Sequence, residues 1–244
     1  METVSSWKNK MVVESFIKGQ RAALPNAIDQ LNVMLHILRH NEVPTKTFVD
    51  LGGGDGILSH LILEQFREAR GYVLDFSDPM IEAANKRLEK YLDRVKIIKC
   101  DIAFPDWHEK IFTGGMEKVD AFVSGYCIHH LHHGRKYELY QEIYDRLEHN
   151  GLFINIEHVA SKSAWGEMLS DEAFIDSIFE YEKNLENARS REQISKDFHN
   201  REDKKDNILL SVETQCEWLR EIGFKQVDVF FKSFELAVFA GKKL

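Results

Sequence analysis

The stretch Ser124-Gly125-Tyr126-Cys127-Ile128-His129-His130-Leu131-His132-His133 places four histidines within five positions, and Glu157-His158 adds a carboxylate and another imidazole further on. Two chemistries suit such a set. Imidazole with carboxylate can ligate zinc, iron or manganese, and a neutral imidazole can take up a proton near physiological pH. Adjacent histidines seldom converge on one ion without a fixed helix or strand spacing, which favours proton transfer and an expectation of no metal. The bland alternative is one histidine capping the turn while the others face solvent. A Gly-x-Ser-x-Gly elbow is absent, and no cysteine sits in the motif of a nucleophilic enzyme, so a covalent enzyme intermediate is not indicated.

Residues Thr47 to Ser59, reading TFVDLGGGDGILS, hold a second set: an acid followed by glycines at 52, 54 and 56. Phe48, Val49 and Leu51 suit a strand buried on both faces, and Ile57, Leu58, Leu61, Ile62 and Phe66 recur at helical spacing. The stretch reads as strand, tight turn and helix. Its glycines let a ligand approach without meeting a Cβ, and the amides of the helix start face that ligand. The dinucleotide fingerprint needs a glycine at its sixth place, which counted from Gly52 is Ile57, and no Gly-Lys-Ser/Thr closes a phosphate loop. An ordinary glycine-rich strand-to-helix turn is the structural alternative.

Asp50-Leu51-Gly52-Gly53-Gly54-Asp55-Gly56 resembles motif I of the class I S-adenosylmethionine (SAM) dependent methyltransferases, whose pattern is acid-x-Gly-x-Gly-x-Gly. The resemblance implies that Asp50, Gly52, Gly54 and Gly56 surround the methionine moiety of SAM, whose ammonium suits a strand-end acid better than a phosphate would. It implies that Asp75 holds the ribose and that Phe76 flanks the adenine with Met80 nearby. Asp101 would accept from the adenine amino group with Ile102 packed on the ring, and Ser124 would complete the cofactor set. Asp75 also has a reading of its own. An acid ending the strand beside the first one is where a doubly wound sheet presents a carboxylate to both ribose hydroxyls.

The Ile128-His129-His130-Leu131 segment with Glu157-His158, and the later Trp218-Leu219-Arg220 and Gly223-Phe224, are similar to the type 12/25 methyltransferase group. The reaction implied is in-line methyl transfer from a sulfonium to a small-molecule acceptor, in which the protein aligns the acceptor and excludes water. His129 or His130 is then expected to act as general base or substrate contact, with Glu157 and His158 orienting the acceptor. Tyr126, Trp165 and Phe179 are the expected substrate-binding residues.

These groups need a scaffold, and the apolar periodicity supplies one. Gly71–Asp75, Val95–Cys100, Val119–Gly125 and Gly151–Glu157 read as further strands, and Leu139, Ile143, Tyr144 and Leu147 mark a helix closed by Asn150-Gly151. Strand and helix alternate, which implies a mostly parallel sheet covered on both faces. Residues 227–231 and 234–241 are two β-rich runs separated by Lys232-Ser233, and a closing antiparallel pair is the C-terminal mark of the class I methyltransferase sheet. The expected fold is α/β: a doubly wound, Rossmann-like, seven-stranded, mostly parallel sheet with a C-terminal antiparallel hairpin. The single domain 1–244 divides into an N-terminal helical lid (1–46), a SAM-binding core (47–160), a helical cap insertion (161–210) and a C-terminal helix and β-hairpin (211–244).

The composition of the 244 residues, 43% hydrophobic and 30% charged with only four prolines, is that of a globular chain with little linker. A net charge of −8 argues against binding to nucleic acid through phosphates. Cys100, Cys127 and Cys216 are scattered, as expected of buried thiols in a reducing, cytoplasmic setting. The N-terminus lacks signal-peptide features, and no apolar run reaches membrane-spanning length, so no membrane partner is expected. Oligomeric state stays open, a homodimer included. The rival readings are another SAM reaction such as an intramolecular cyclisation, a catalytically silent SAM-binding protein and, against the Ile57 spacing, an NAD-dependent oxidoreductase.

Overall fold

A computed structural model describes residues 23–112 and 117–244. Residues 1–22 of the expected N-terminal helical lid lie outside these residues. In chain order the elements are α1 (Ala27–Arg39), β1 (Thr47–Leu51), α2 (Ile57–Gln65), β2 (Arg70–Asp75), α3 (Asp78–Arg87) and β3 (Val95–Lys99). They continue with β4 (Val119–Gly125), α4 (His133–Arg146), β5 (Leu147–His158), α5 (Ala164–Glu182), α6 (Arg191–Asn200), α7 (Val212–Ile222), β6 (Lys225–Ser233) and β7 (Leu236–Lys242). The strands form one seven-stranded sheet in the order β3-β2-β1-β4-β5-β7-β6. Strands β1 to β5 run parallel, and β7 pairs antiparallel with both β5 and β6. This is the class I methyltransferase sheet.

The central strands are apolar along their length because helices cover both faces. Val49, Leu51, Phe122, Phe153 and Phe239 feed a cluster on one side, while Phe48, Val73, Val123, Ile154 and Val238 feed the other. Strand order then reverses between β1 and β4, so the loops leaving their carboxyl ends diverge and open a crevice.

Two boundaries differ from the pattern reading. Asn150 does not close α4, which ends at Arg146; residues 147–150 already belong to β5, with Asn150 at φ 65°. There the Asn150 N–H donates to the Lys243 carbonyl at 2.6 Å, so pairing across the sheet outweighs the local turn preference. Likewise the last hairpin turns at Phe234-Glu235 rather than at Lys232-Ser233. Glu235 leaves the strand pattern because its carboxylate is needed elsewhere, accepting from the Ser161 N–H at 3.0 Å and lying 3.2 Å from His158 Nε2. Among the described residues no helix is long and apolar enough to cross a membrane.

Candidate active site

At the crevice the turn from β1 to α2 is built on left-handed glycines, Gly52 at φ 61°, Gly54 at φ 54° and Gly56 at φ 78°. Gly52 has no room for a side chain: a Cβ there would lie 1.9 Å from Cys127 Sγ. At Gly54 a Cβ would meet only Met80 Sδ, at 3.7 Å. Asp50, fully buried, anchors the turn to the helix by accepting from the Ser59 hydroxyl at 2.7 Å and its N–H at 3.2 Å. A second clamp comes from α3, where Arg87 donates to the Asp55 carboxylate at 2.5 Å and the Asp55 carbonyl at 3.0 Å.

Asp75 ends β2 beside this turn. It accepts from the Gly54 N–H at 2.9 Å and the Ser77 N–H at 2.8 Å. Burial pushes its carboxyl up to about 6 against the pull of those donors. Asp50, Gly52, Gly54, Asp75, Phe76 and Met80 all line one cavity, which Tyr126, Cys127 and His130 complete.

The remaining expected cofactor residues sit elsewhere. Gly56 packs against Leu88. Ser124 is buried and donates to the Leu51 carbonyl at 2.9 Å, strapping β4 to β1. Asp101 lines an open depression beside Phe76, and Ile102 packs into the core.

The histidine turn follows β4. Tyr126 takes φ 54°, a conformation costly for an aromatic residue and of the kind that persists where surroundings over-determine it. Its hydroxyl donates to Gln30 of α1 at 2.5 Å. His129 is buried, with Nδ1 2.6 Å from Glu157 Oε1. His130 donates from Nδ1 to the Asp206 carbonyl at 3.0 Å. Burial lowers both imidazoles, His130 to about 3, so both are neutral at physiological pH. His132 and His133 are exposed.

A second cavity adjoins the first. Tyr126 and His130 line both, while His129, His158, Phe174, Ile178 and Phe198 line the second alone. Arg201, Asp203 and Asn207 form its polar end, the Arg201 guanidinium lying 4.2 Å from the centre of the Phe198 ring.

Three expected contacts are not on this cavity. Glu157 is fully buried beneath His129 and reaches neither space. Trp165 is 70% exposed. Phe179 packs against the small cluster of Ile175, Ile194 and Phe198. On α5 it is Phe174 and Ile178, one turn apart, that face inward. Among the described residues no group of three or more His, Cys, Asp and Glu side chains is arranged to hold a metal ion.

Residues 49–153 match the family described as "Methyltransferase domain". That match, together with the order and directions of the seven strands, supports a class I SAM-dependent methyltransferase. The same findings support an enzyme with SAM as its cofactor. The carboxy-S-adenosyl-L-methionine synthase of Nautilia profundicola is 22% identical over 228 residues, covering 91% of this chain and 87% of that protein. A structure from Methanococcus maripaludis, of a protein proposed to be an S-adenosyl-L-methionine-dependent methyltransferase, superposes over 100% of this chain and 97% of its own, with a TM-score of 0.60 and 18% identity. Human N-acetylserotonin methyltransferase in complex with SAM gives a TM-score of 0.58 at 13% identity over 97% of this chain. This chain spans 57% of that longer one, and the likeness concerns the fold.

The first cavity fits SAM on its own chemistry. The open face of Gly54 leaves a cradle without a Cβ, and Asp75 is a desolvated carboxylate that further hydroxyl donors would stabilise.

Proposed function

We propose that this methyltransferase binds SAM in the glycine-turn cavity and transfers its methyl group to a small, partly apolar acceptor held in the histidine-lined cavity. The observation that carries this reading is the shared wall: Tyr126 and His130 line both spaces, so their contents adjoin. SAM supplies an activated methyl on sulfur. Asp75 accepts from the ribose hydroxyls, and the Gly52–Gly54 turn admits the methionine end. Phe174, Ile178 and Phe198 take the apolar body of the acceptor, and Arg201, Asp203 and Asn207 its polar end. His129 is the base: with Nδ1 on Glu157, its Nε2 is the nitrogen left to take the acceptor's proton. Glu157 thus acts through His129, and His158, held by Glu235, shapes the cavity wall. By domain, 47–160 with 211–244 is the catalytic core and 161–210 caps it.

Calorimetric titration with S-adenosylhomocysteine tests the cofactor half. Asp75→Ala should weaken binding at least tenfold, and undiminished affinity would remove its role. For the other half, a panel of small acceptors is incubated with methyl-labelled SAM. His129→Ala should then lower turnover on the order of a hundredfold while leaving cofactor affinity nearly unchanged.

A second reading is favoured by the similarity to a carboxy-SAM synthase across 91% of the chain, cap included. In that case SAM itself would leave carrying a carboxyl group. Mass spectrometry of both pools separates the two: a methyl gained by the acceptor supports transfer, and a carboxyl gained by SAM, with a carboxylic acid as co-substrate, replaces it. Tight SAM binding with no change in either pool would point to a silent binder.

A further inference from the structure

Beneath the histidine turn lies a buried cation that lines neither cavity. Lys136, on the first turn of α4, is 1% exposed. Its ammonium donates to the His129 carbonyl at 3.5 Å and to the Ile208 carbonyl. The Ile208 N–H donates to that same His129 carbonyl at 2.9 Å. Two carbonyls do not offset the burial of a full charge, which needs an opposite charge nearby. Glu157, on β5, is the acid that meets the same residue, His129. Its carboxylate is fully buried and surrounded by donors: His158 N–H at 3.0 Å, Asn155 Nδ2 at 3.3 Å and His129 Nδ1 at 2.6 Å.

We propose that Lys136 is a positioning residue that sets the tautomer of His129: its ammonium keeps Glu157 ionised, which obliges His129 to donate through Nδ1 and leaves the Nε2 lone pair for the acceptor. The inference rests on His129 being the base. The alternative proton placement shows why the charge matters. Were Glu157 protonated, its O–H would donate to Nδ1, the neutral ring would carry its hydrogen on Nε2, and that nitrogen would have no lone pair for the acceptor's proton.

Every packed element bears on this equilibrium. From β5 come His158 and Asn155, from the turn after β4 Cys127, His129 and His130, from α4 Tyr140, from α7 Cys216 and from the cap Arg201. Burial raises Glu157 and lowers Lys136, and the two oppose this by attracting one another. His130 also favours the Glu157 carboxylate when charged, but burial holds it neutral. Tyr140 and Cys127 are pushed up and stay neutral. Arg201 is beside Asp203 at 3.4 Å. Lys136 is therefore the charged cation that favours the Glu157 carboxylate, after the larger pull of the His158 N–H and the Asn155 amide.

Nitrogen-15 NMR of histidine-labelled protein bound to S-adenosylhomocysteine reads the tautomer directly, with the His129 signal assigned by its loss in His129→Gln. Near pH 8 the wild type should show Nδ1–H. Lys136→Met removes charge and donors, and Lys136→Gln removes the charge but keeps a donor. Both should convert His129 to Nε2–H with S-adenosylhomocysteine affinity within about threefold of wild type, which a loss of packing alone would not do. A folded neutral variant that retains Nδ1–H overturns the role of Lys136 and leaves His129 as base untouched. Nε2–H in the wild type overturns the base itself. If neither variant folds, acidifying the wild type decides: His129 must change to Nε2–H as Glu157 takes up its proton, and a ring unchanged down to about pH 5 overturns the inference.

Discussion

Asp75 is a buried acid at the carboxyl end of β2 whose charge costs stability. Burial pushes its folded carboxyl up to about 6, against an ordinary 3.8, outweighing the pull of the Ser77, Gly54 and Phe76 N–H donors. An acid whose folded value is raised holds its proton longer folded than unfolded. Stability from this group is therefore lost as pH rises from about 4 to about 6, at a cost of about 3 kcal/mol once ionised. In the proposed binding mode ribose hydroxyls donating to the carboxylate would offset that cost, and cofactor binding would need the ionised form. S-adenosylhomocysteine should bind about tenfold more weakly near pH 5 than near pH 8, and Asp75→Ala should abolish that dependence. A wild-type affinity flat across that range would count against Asp75 as the ribose ligand.

At the scale of elements, the turn between β1 and α2 is shaped by what crosses it from β4. Gly52 is required twice: for its φ of 61° and because Cys127 fills the space a Cβ would need. Gly52→Ala should cost more than about 2 kcal/mol of stability, measured by urea unfolding, and should lower S-adenosylhomocysteine affinity with it. Adding Cys127→Gly should restore the steric part and leave the left-handed penalty of about 1–2 kcal/mol. Full rescue would mean that backbone strain at Gly52 is negligible; no rescue would mean that Cys127 is not the obstacle. The cap works differently. Helices α5 and α6 contact one another through Ile175, Ile194 and Phe198, a cluster separate from the two main cores. They meet the rest through the Phe174 ring against His158 and through hydrogen bonds of the flanking segments, such as Ile208 N–H to the His129 carbonyl and Ala160 N–H to the Leu210 carbonyl. Hydrogen exchange should accordingly be faster in 164–207 than in β4 and β5, and equal protection would contradict this.

The whole molecule depends on the sheet and its two cores. Phe239, on β7, is fully buried among the rings around Phe153 and Phe224. Phe239→Ala should destabilise by about 3–5 kcal/mol, lowering Tm by roughly 10 °C in a chain of this size. In the same hairpin, Phe234 is 49% exposed at φ 50°. Phe234→Gly should leave Tm unchanged or raise it slightly, since glycine removes the left-handed strain. Equal losses at the two positions would show that β7 is not the core strand its burial implies.

The sequence by itself determined the alternation of strand and helix, the closing antiparallel pair, the glycine turn with Asp50 and Asp75, and the histidine turn. Each is local: apolar periodicity, glycine spacing and an acid at a strand end are written in neighbouring residues, and the fold follows from burying their apolar faces. Tertiary structure alone decided which of those residues share a space. Trp165 and Phe174 look alike on a helical pattern, yet only Phe174 turns inward, because the rotation of α5 is set by packing against α6. Glu157 beside His158 suggested two acceptor contacts, whereas pairing of β5 with β7 and the turn after β4 placed the carboxylate under His129 instead. Lys136, Gln30 and Arg87 carried no motif at all. Their roles come from contacts 7 to 96 residues apart in the chain, which no local pattern encodes.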